Sequence, residues 1–367
     1  MTLDLKEMHQ HWMESSVLEV DGALALPPDW ACCEGLMLVR QTMVEVVKGK
    51  EELFRKPDRA RSGRRSVIPT KVGHNLQMCL GLDVWQICRS FPEHRFDPYF
   101  NLFAEIYLAS PLWRSEFLRN DVDQLNAFVD KLRAAAKRTG FMENVANHER
   151  GTLKNAKTVR KYLNALYCDY PKILHVRIDL YYKVLWPRPN AYPLSAERMK
   201  TDRAKFMRHV RKKFKDNAIG HMWTVEFGEM KGPHFHLLLH FNGQKVRQGI
   251  TIAHQLGEHW QHVITSGLGR YWNVNKYEGG FEAQGRRGIG LISHADEKRR
   301  ENLLRAALYL VKADLFVRMI MPGFGKTFGH GRFRPRKKSN AGRKRKGERL
   351  VAAVDAIRTR RGGIRRQ

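Results

Sequence analysis

Two histidines separated by one residue, His234 and His236, stand at the start of an apolar run that predicts a buried strand. Side chains alternate between the two faces of a strand, so both imidazoles face the same way. The apolar residues between and after them face the opposite way, into a core: Phe235, Leu237 and Leu239. Two imidazoles on a rigid element are suited to bind a divalent metal. An isolated pair of this kind is more often two ordinary histidines near a turn. Whether the pair binds a metal must therefore be judged from the rest of the sequence.

A carboxylate at Glu226 is the candidate third ligand. Residues 222–227 predict a second strand, and the turn that follows leads into the histidine strand. If this turn is centred on Met230, Glu226 lies directly opposite His234, with Cβ atoms roughly 5 Å apart. A shift by one residue would put Glu226 on the wrong face, and Glu229 in the turn is then the alternative ligand. Mixed nitrogen and oxygen ligands suit Mg²⁺ or Mn²⁺ and also tolerate Zn²⁺.

Tyr309 and Lys312 are a candidate nucleophile and its activating charge. They lie three residues apart in a predicted amphipathic helix over 296–316, and residues at this spacing share a helix face. A tyrosine hydroxyl is a weak nucleophile at its ordinary pKa of about 10. A nearby ammonium group and a metal-polarised phosphate would both make it more reactive. On their own, the two residues are much more typical of a core-edge aromatic and a solvated lysine.

The elements around these residues predict an α+β fold, with a central antiparallel sheet and flanking helices over 169–330. Apolar or alternating runs predict further strands, and amphipathic or basic stretches predict helices: strands at 173–185 and 288–292, helices at 195–215 and 251–265. Ser195 is placed to cap the first of these helices. Residues 1–168 predict a mostly helical region, with helices within 98–139 and 151–168, whose role the sequence does not reveal.

Charge dominates the composition. The chain has 367 residues, a formal net charge of +29 and an isoelectric point of about 10.2, which indicates a polyanionic partner. Residues 331–367 contain 15 lysines and arginines against Glu348 and Asp355, and we expect a disordered tail that binds nucleic-acid phosphates. The basic segment 55–72 and the strongly basic helix predicted at 195–215 are either solvated or in contact with a DNA backbone.

Membrane association is not expected. No apolar run reaches 18 residues, and the first residues lack the basic-then-apolar layout of a signal peptide. The five cysteines form no Cys-x-x-Cys pair, so neither a disulfide framework nor a cysteine zinc site is expected. These features favour a reducing cytoplasm.

Two further polar residues on the predicted strands leave alternatives open. Asp179 shares a strand face with Arg177, and an internal salt bridge and an active-site role are equally compatible with that position. His240 shares the face of His236, and we interpret it as a structural histidine.

Taken in order, these pieces resemble the three-motif plan of HUH-type single-strand DNA endonucleases, and more narrowly the inovirus-type replication initiators with their YagK/YfjJ-like prophage relatives. The resemblance covers roughly 170–330. The segments that carry it are Val176-Arg177-Ile178-Asp179-Leu180, Glu226-Phe227-Gly228, Gly232-Pro233-His234-Phe235-His236, Tyr309-Leu310-Val311-Lys312 and Thr327-Phe328-Gly329.

The resemblance implies a single-tyrosine nicking-joining endonuclease, because Ala313 occupies the next-turn position where a second tyrosine would stand. His234, His236 and Glu226 would hold Mg²⁺ or Mn²⁺, and Tyr309, assisted by Lys312, would attack the scissile phosphate. A 5′-phosphotyrosine link and a 3′-hydroxyl primer would result.

These implied properties describe rolling-circle replication at a phage or prophage origin. The substrate would be single-stranded DNA in the bacterial cytoplasm, and the host replication machinery would extend the primer. The alternatives are a non-catalytic DNA-binding prophage regulator, or a transposase or relaxase of the same HUH class.

Overall fold

The computed structural model describes residues 18–20, 23–25, 30–57, 67–91, 94–183, 194–228, 232–312, 316–319 and 323–333. The described residues up to Phe333 belong to one compact unit. Several sequence predictions lie outside the described residues: those for Glu229, for residues 58–66 of the basic segment 55–72, and for the tail beyond 333.

The first part of the chain is mostly helical, as the sequence predicts. Its helices are α1 (Trp30–Lys48), α2 (Lys71–Leu80), α3 (Val84–Ser90), α4 (Pro98–Leu108), α5 (Pro111–Arg114) and α6 (Val122–Ala136). Short strands form antiparallel pairs before and between them: β1 (Leu18–Val20) with β2 (Ala23–Ala25) ahead of α1, and β3 (Phe54–Arg55) with β4 (Ile68–Pro69) between α1 and α2. A third short strand, β5 (His94–Phe96), pairs instead with β11 (Val317–Met319), far along the chain.

The stretch 98–139 contains three separate helices with a 3₁₀ turn between the last two. Asp97, Ser110 and Asp121 each begin a helix by accepting a hydrogen bond from a backbone N–H of its first turn. Pro98 and Pro111 follow two of these caps, and proline favours the first helical position because its missing N–H is not needed there. Helix capping therefore divides the stretch 98–139 into separate helices, whereas its hydrophobic periodicity alone does not reveal these boundaries.

A six-stranded antiparallel sheet forms the centre of the second half. Its strands are β6 (Lys172–Tyr182), β7 (Ala218–Gly228), β8 (Gly232–Asn242), β9 (Gly269–Asn273), β10 (Gly290–Ser293) and β12 (Phe328–His330). The order is β10-β6-β8-β7-β12, and β9 pairs with the other end of β6. All these pairings are antiparallel, so the predicted α+β architecture with an antiparallel sheet is confirmed.

Helices cover both faces of this sheet. On one face, Phe235, Leu237 and Leu239 pack with α8 (Ala196–Phe214) and α9 (Gly249–Glu258), which continues into a π-helical turn over His259–Ile264. On the other face, Leu238 and Met222 pack with α7 (Phe141–Asp169) and α11 (Glu297–Lys312). Among the described helices, none has both the length and the apolar character needed to cross a bilayer.

Helix α7 is longer than the predicted helix at 151–168, because it begins at Phe141, directly after Gly140 at φ +90°. It lies close to the sheet at Gly220, where a Cβ atom would stand 2.5 Å from the Tyr162 hydroxyl. Glycine at this position therefore allows the helix to approach, and the Tyr162 hydroxyl accepts a hydrogen bond from the His221 backbone N–H at 3.1 Å.

Two other local predictions can be checked directly. Ser195 caps α8 by accepting a hydrogen bond from the Arg198 backbone N–H, which confirms that prediction. The glycine-rich segment after α9 holds β9 and the short helix α10 (Glu278–Ala283), neither of which was predicted.

Candidate metal centre

The register of the β7–β8 hairpin is the predicted one. Glu226 is the direct cross-strand partner of His234, and Thr224 is the partner of His236. All four side chains therefore share the sheet face that α7 and α11 cover, while Phe235 points to the opposite core. The hairpin alone thus brings one carboxylate and two imidazoles onto a single patch.

Hydrogen bonds orient both imidazoles. The Nδ1 atom of His234 lies 2.9 Å from the Gly232 carbonyl oxygen, and the Nδ1 atom of His236 lies 2.7 Å from Oδ1 of Asp179. Each Nδ1–H therefore has an acceptor, and this arrangement leaves each Nε2 as the atom that can bind an ion. The two Nε2 atoms are 3.2 Å apart, and the His236 Nε2 is 3.3 Å from Oε2 of Glu226.

This donor set fits a divalent metal. One ligand atom from each of Glu226, His234 and His236 lies within 4.8 Å of the other two, and these three are the only such group among the described residues. Two ligands that each lie about 2.1 Å from one ion are roughly 3 Å apart at a right angle, close to the two separations above. Two imidazoles and one carboxylate suit Mn²⁺, Zn²⁺ and Fe²⁺, and Mg²⁺ less well.

The charges around His236 favour a cation at this point. Burial disfavours the charged imidazolium, but the carboxylates of Asp179 and Glu226 outweigh it and raise the pKa of His236. Burial would raise the pKa of Glu226, yet the neighbouring histidines and Arg177 lower it below its ordinary value. The buried carboxylate of Asp179 and the partly exposed carboxylate of Glu226 thus face one protonatable imidazole, whose proton a bound metal ion would replace.

Asp179 makes the internal salt bridge that the sequence suggests and also contacts a candidate ligand. Its Oδ1 atom accepts from His236 and also lies 3.4 Å from Nε of Arg177. It reaches His236 because the two residues are direct partners in the β6–β8 pairing. Since Asp179 is 1% exposed, its contact with His236 is protected from water.

One residue of the helical first part also interacts electrostatically with Glu226, and no local pattern in the sequence marks it. Burial lowers the pKa of His94 on β5 to about 4, and the Glu226 carboxylate is close enough to act on it in the opposite direction. His94 is placed there by the β5–β11 pairing, in which it is the partner of Met319. The centre is open to solvent mainly at Glu226, whose side chain is 19% exposed while those of His236 and Asp179 are at most 1% exposed.

The predicted nucleophile occupies a different environment. Tyr309 lies on α11, whose Leu308 and Val311 pack on the sheet face that carries the metal centre. Tyr309 itself packs in the apolar core of the first-part helices; it is 4% exposed, and its hydroxyl oxygen is buried. Lys312 is the last residue of α11, and its side chain lies outside the described part. The structure therefore brings the three predicted ligands together and places Tyr309 within a core.

A second group of histidines lies on the same sheet face, beyond Leu238. The Nδ1 atoms of His175 and His240 are 2.8 Å apart, and the Nε2 atom of His175 is 2.8 Å from the Tyr167 hydroxyl. Burial lowers the pKa of His175 to about 3 and that of His240 well below its ordinary value. These two imidazoles are therefore neutral, and the Nδ1–H of one donates to the Nδ1 of the other, in keeping with a structural role for His240.

The hydrogen bond from His236 to Asp179 leads to a testable prediction. Asp179→Asn is expected to weaken Mn²⁺ binding by about 10- to 100-fold, because His236 loses the charged acceptor that orients it. Isothermal titration with Mn²⁺ measures this. Asp202→Asn is the matched control, since Asp202 is equally buried but lies on α8, on the other side of the sheet. Unchanged affinity in folded Asp179→Asn protein would show that Asp179 does not position the ligand.

Comparison with known proteins gives a family but no individual relative. Residues 135–331, just over half of the chain, match the family described as YagK/YfjJ C-terminal domain. No curated protein and no solved structure matches the chain. The matched range contains the whole central sheet, the helices α7 to α11 and all three candidate ligands. The chain therefore belongs to the YagK/YfjJ C-terminal domain family.

Proposed function

We propose that this protein is a metal-dependent DNA nicking and joining enzyme of the HUH single-tyrosine class that initiates rolling-circle replication of a phage or prophage. The observation that carries the proposal is the convergence of the His234 and His236 Nε2 atoms with the Glu226 carboxylate on one strand hairpin. The net charge of +29 supports a nucleic-acid substrate.

In this proposal Glu226, His234 and His236 hold a divalent ion, Mn²⁺ or Mg²⁺. When bound, the ion supplies Lewis-acid chemistry, withdrawing charge from the oxygens of the scissile phosphate. Asp179 keeps the Nε2 atom of His236 directed at the ion by accepting from its Nδ1–H. The partly exposed side of Glu226 is the side from which the phosphate approaches.

Tyr309 is the proposed nucleophile. Its hydroxyl oxygen forms a bond to phosphorus and loses its proton, while the bond from phosphorus to the 3′ oxygen breaks. The 3′ oxygen leaves with the electron pair and takes up a proton, which gives a 5′-phosphotyrosine and a 3′-hydroxyl. Lys312 assists by favouring the ionised phenol. The reverse reaction rejoins the strand, and host replication proteins in the bacterial cytoplasm extend the 3′-hydroxyl.

The burial of Tyr309 sets a requirement for this step. Because its hydroxyl oxygen is buried, single-stranded DNA must bind a form of the protein in which the end of α11 is uncovered. The same burial favours a second candidate function, a DNA-binding regulator of a prophage that keeps the metal centre without strand cleavage. A transposase or relaxase of the same class would need the same uncovering.

A covalent-adduct assay tests the proposal. Purified full-length protein is incubated with single-stranded fragments of the cognate phage or prophage genome, with Mn²⁺ or with a chelator, and run on a denaturing gel. We expect a DNA-shifted protein band when Mn²⁺ is present and no such band when the chelator is present. Tight binding of the same fragments without any adduct would contradict nicking and support the regulator instead.

A further inference from the structure

The long helix α7 carries a basic row on its exposed face. We call Arg150, Lys154, Lys157 and Lys161 the α7 basic stripe; all four are exposed. Their spacing of four, three and four residues aligns them along one side of the helix. The buried face of α7, which includes Ala156, Val159 and Leu163, lies on the opposite side. The stripe is therefore directed away from the core along about 16 Å of helix.

No acidic residue interrupts the stripe. Between Arg150 and Lys161 the chain has five basic residues and no aspartate or glutamate, and Arg160 flanks the row. In the part of the chain that the structure describes, none of the four stripe residues forms an ion pair. On α8, by contrast, Arg198 and Lys205 share the carboxylate of Asp202. On α11, Arg299 and Arg305 are each paired with a glutamate.

Such a stripe destabilises the folded protein when no anion is bound to it. Like charges three or four residues apart on a helix repel one another, and no carboxylate among the described residues forms an ion pair with these four to offset the repulsion. Nucleic acid offers a matching arrangement of charge, because its backbone carries one negatively charged phosphate per nucleotide at regular intervals. Several phosphates thus fit within the length of the stripe.

An anionic membrane surface fits the same helix poorly. A helix that binds at a bilayer surface inserts its apolar face among the lipids. The apolar face of α7 is already packed against the sheet and α11, through residues such as Val159 and Leu166. Leu153 is a large apolar residue exposed beside the stripe. A lipid surface would therefore gain little beyond charge attraction.

We propose that the α7 basic stripe is a contact surface for the phosphate backbone of single-stranded DNA, separate from the metal centre. This inference rests on the proposed function, since it assumes DNA as the substrate class. The stripe recognises phosphates and not bases, so it contributes affinity and salt dependence without sequence preference.

The test is a binding measurement on the full-length protein. The variant R150Q/K154Q/K157Q/K161Q is compared with the wild type by fluorescence anisotropy on labelled single-stranded DNA, over about 0.05 to 0.3 M KCl. We expect binding to weaken at least about tenfold and the slope of log K against log[KCl] to become shallower by up to about 3. The loss is expected to be equal for unrelated sequences.

A control variant separates the stripe from net charge. K48Q/K131Q/K137Q/R247Q removes the same number of positive charges from exposed positions outside α7. We expect this variant to lose much less DNA affinity than the stripe variant. An equal loss of DNA affinity in the two variants would overturn the inference. So would a stripe variant that binds DNA as tightly as the wild type does. Preference of the wild type for anionic vesicles of phosphatidylserine over DNA would overturn it together with the proposed function.

The same protein also separates this inference from the proposed chemistry. At DNA concentrations that saturate it, the stripe variant is expected to form the Mn²⁺-dependent adduct as the wild type does. Suppose the wild type forms no adduct but its DNA binding still depends on the stripe. This result would support the stripe as a DNA contact surface and contradict the nicking function. If the adduct forms but DNA binding does not depend on the stripe, nicking is supported and the proposed contact between the stripe and DNA is overturned.

Discussion

Protein carrying phenylalanine in place of Tyr309 is expected to form no covalent adduct with single-stranded DNA, a loss of at least about 10³-fold in rate. The substitution removes only the hydroxyl group that would bond to phosphorus. Because Tyr309 packs in an apolar core and is 4% exposed, phenylalanine fits the same space, and both folding and DNA affinity are expected to be kept. The denaturing-gel assay with Mn²⁺ measures the adduct, and anisotropy measures binding.

Tyr107→Phe is the matched control for Tyr309. Tyr107 lies in the same apolar core, is fully buried, and donates its hydroxyl hydrogen to the Leu80 carbonyl. It has no part in the proposed chemistry, so the Tyr107 variant should form the adduct as the wild type does. If Tyr309→Phe still forms the adduct, another residue is the nucleophile, and the assignment carried by the Tyr-x-x-Lys pattern is wrong.

Acid is expected to unfold the protein well before its carboxylates are protonated. Burial lowers the pKa of four histidines: His94 and His221 to about 4, His175 to about 3, and His240 well below its ordinary value. In the unfolded chain each takes up a proton near pH 6.5, whereas in the folded chain each stays neutral. Unfolding therefore becomes more favourable as the pH falls below about 6.5, by about 1.4 kcal/mol per histidine and pH unit.

The four histidines together change the free energy of unfolding by about 5 kcal/mol per pH unit, a large fraction of the 5–15 kcal/mol that is typical of a domain. His236 does not offset this, because its raised pKa gives a stabilisation that is fully present below about pH 6.5 and lost only at higher pH. Glu226, whose pKa is lowered, adds to the loss of stability only below about pH 4.5. Urea unfolding followed by circular dichroism between about pH 7.5 and 4.5 measures the effect.

Two variants identify the source of this acid sensitivity. The double variant His175→Phe and His240→Leu removes two of the four histidines, so the pH dependence should fall by about half. The single variant His262→Gln is the control, because it also removes one histidine but from a side chain that is 60% exposed. Stability that stays constant between pH 6.5 and 4.5 would show that these histidines are protonated in the folded chain.

The candidate centre could be predicted from the sequence to the extent that it is local. Glu226, His234 and His236 lie within eleven residues on one hairpin, and the strand period of two residues fixes which side chains share a face. Only the register had to be assumed, and a short turn leaves few choices. The amphipathic stretch that became α6 was predictable for the same reason, since its apolar positions repeat every three or four residues.

What could not be predicted depends on pairing between distant segments. Asp179 contacts His236 because β6 lies beside β8, and His94 approaches Glu226 because β5 pairs with a strand more than 200 residues later. No local pattern encodes either neighbour. Helix α1 was also missed, because its run of apolar residues shows little of the alternation with polar residues that marks an amphipathic helix.

The β5–β11 pair has a practical consequence for anyone who cuts this chain. The family match begins at residue 135, which suggests a tempting point of truncation. A fragment that starts there loses β5, the partner of β11, and the helices that cover Tyr309 and Phe316. It would present a bare strand edge and an apolar patch to solvent, which are the surfaces from which aggregation begins. The segment recognised by homology is therefore smaller than the segment whose strands and apolar core are complete.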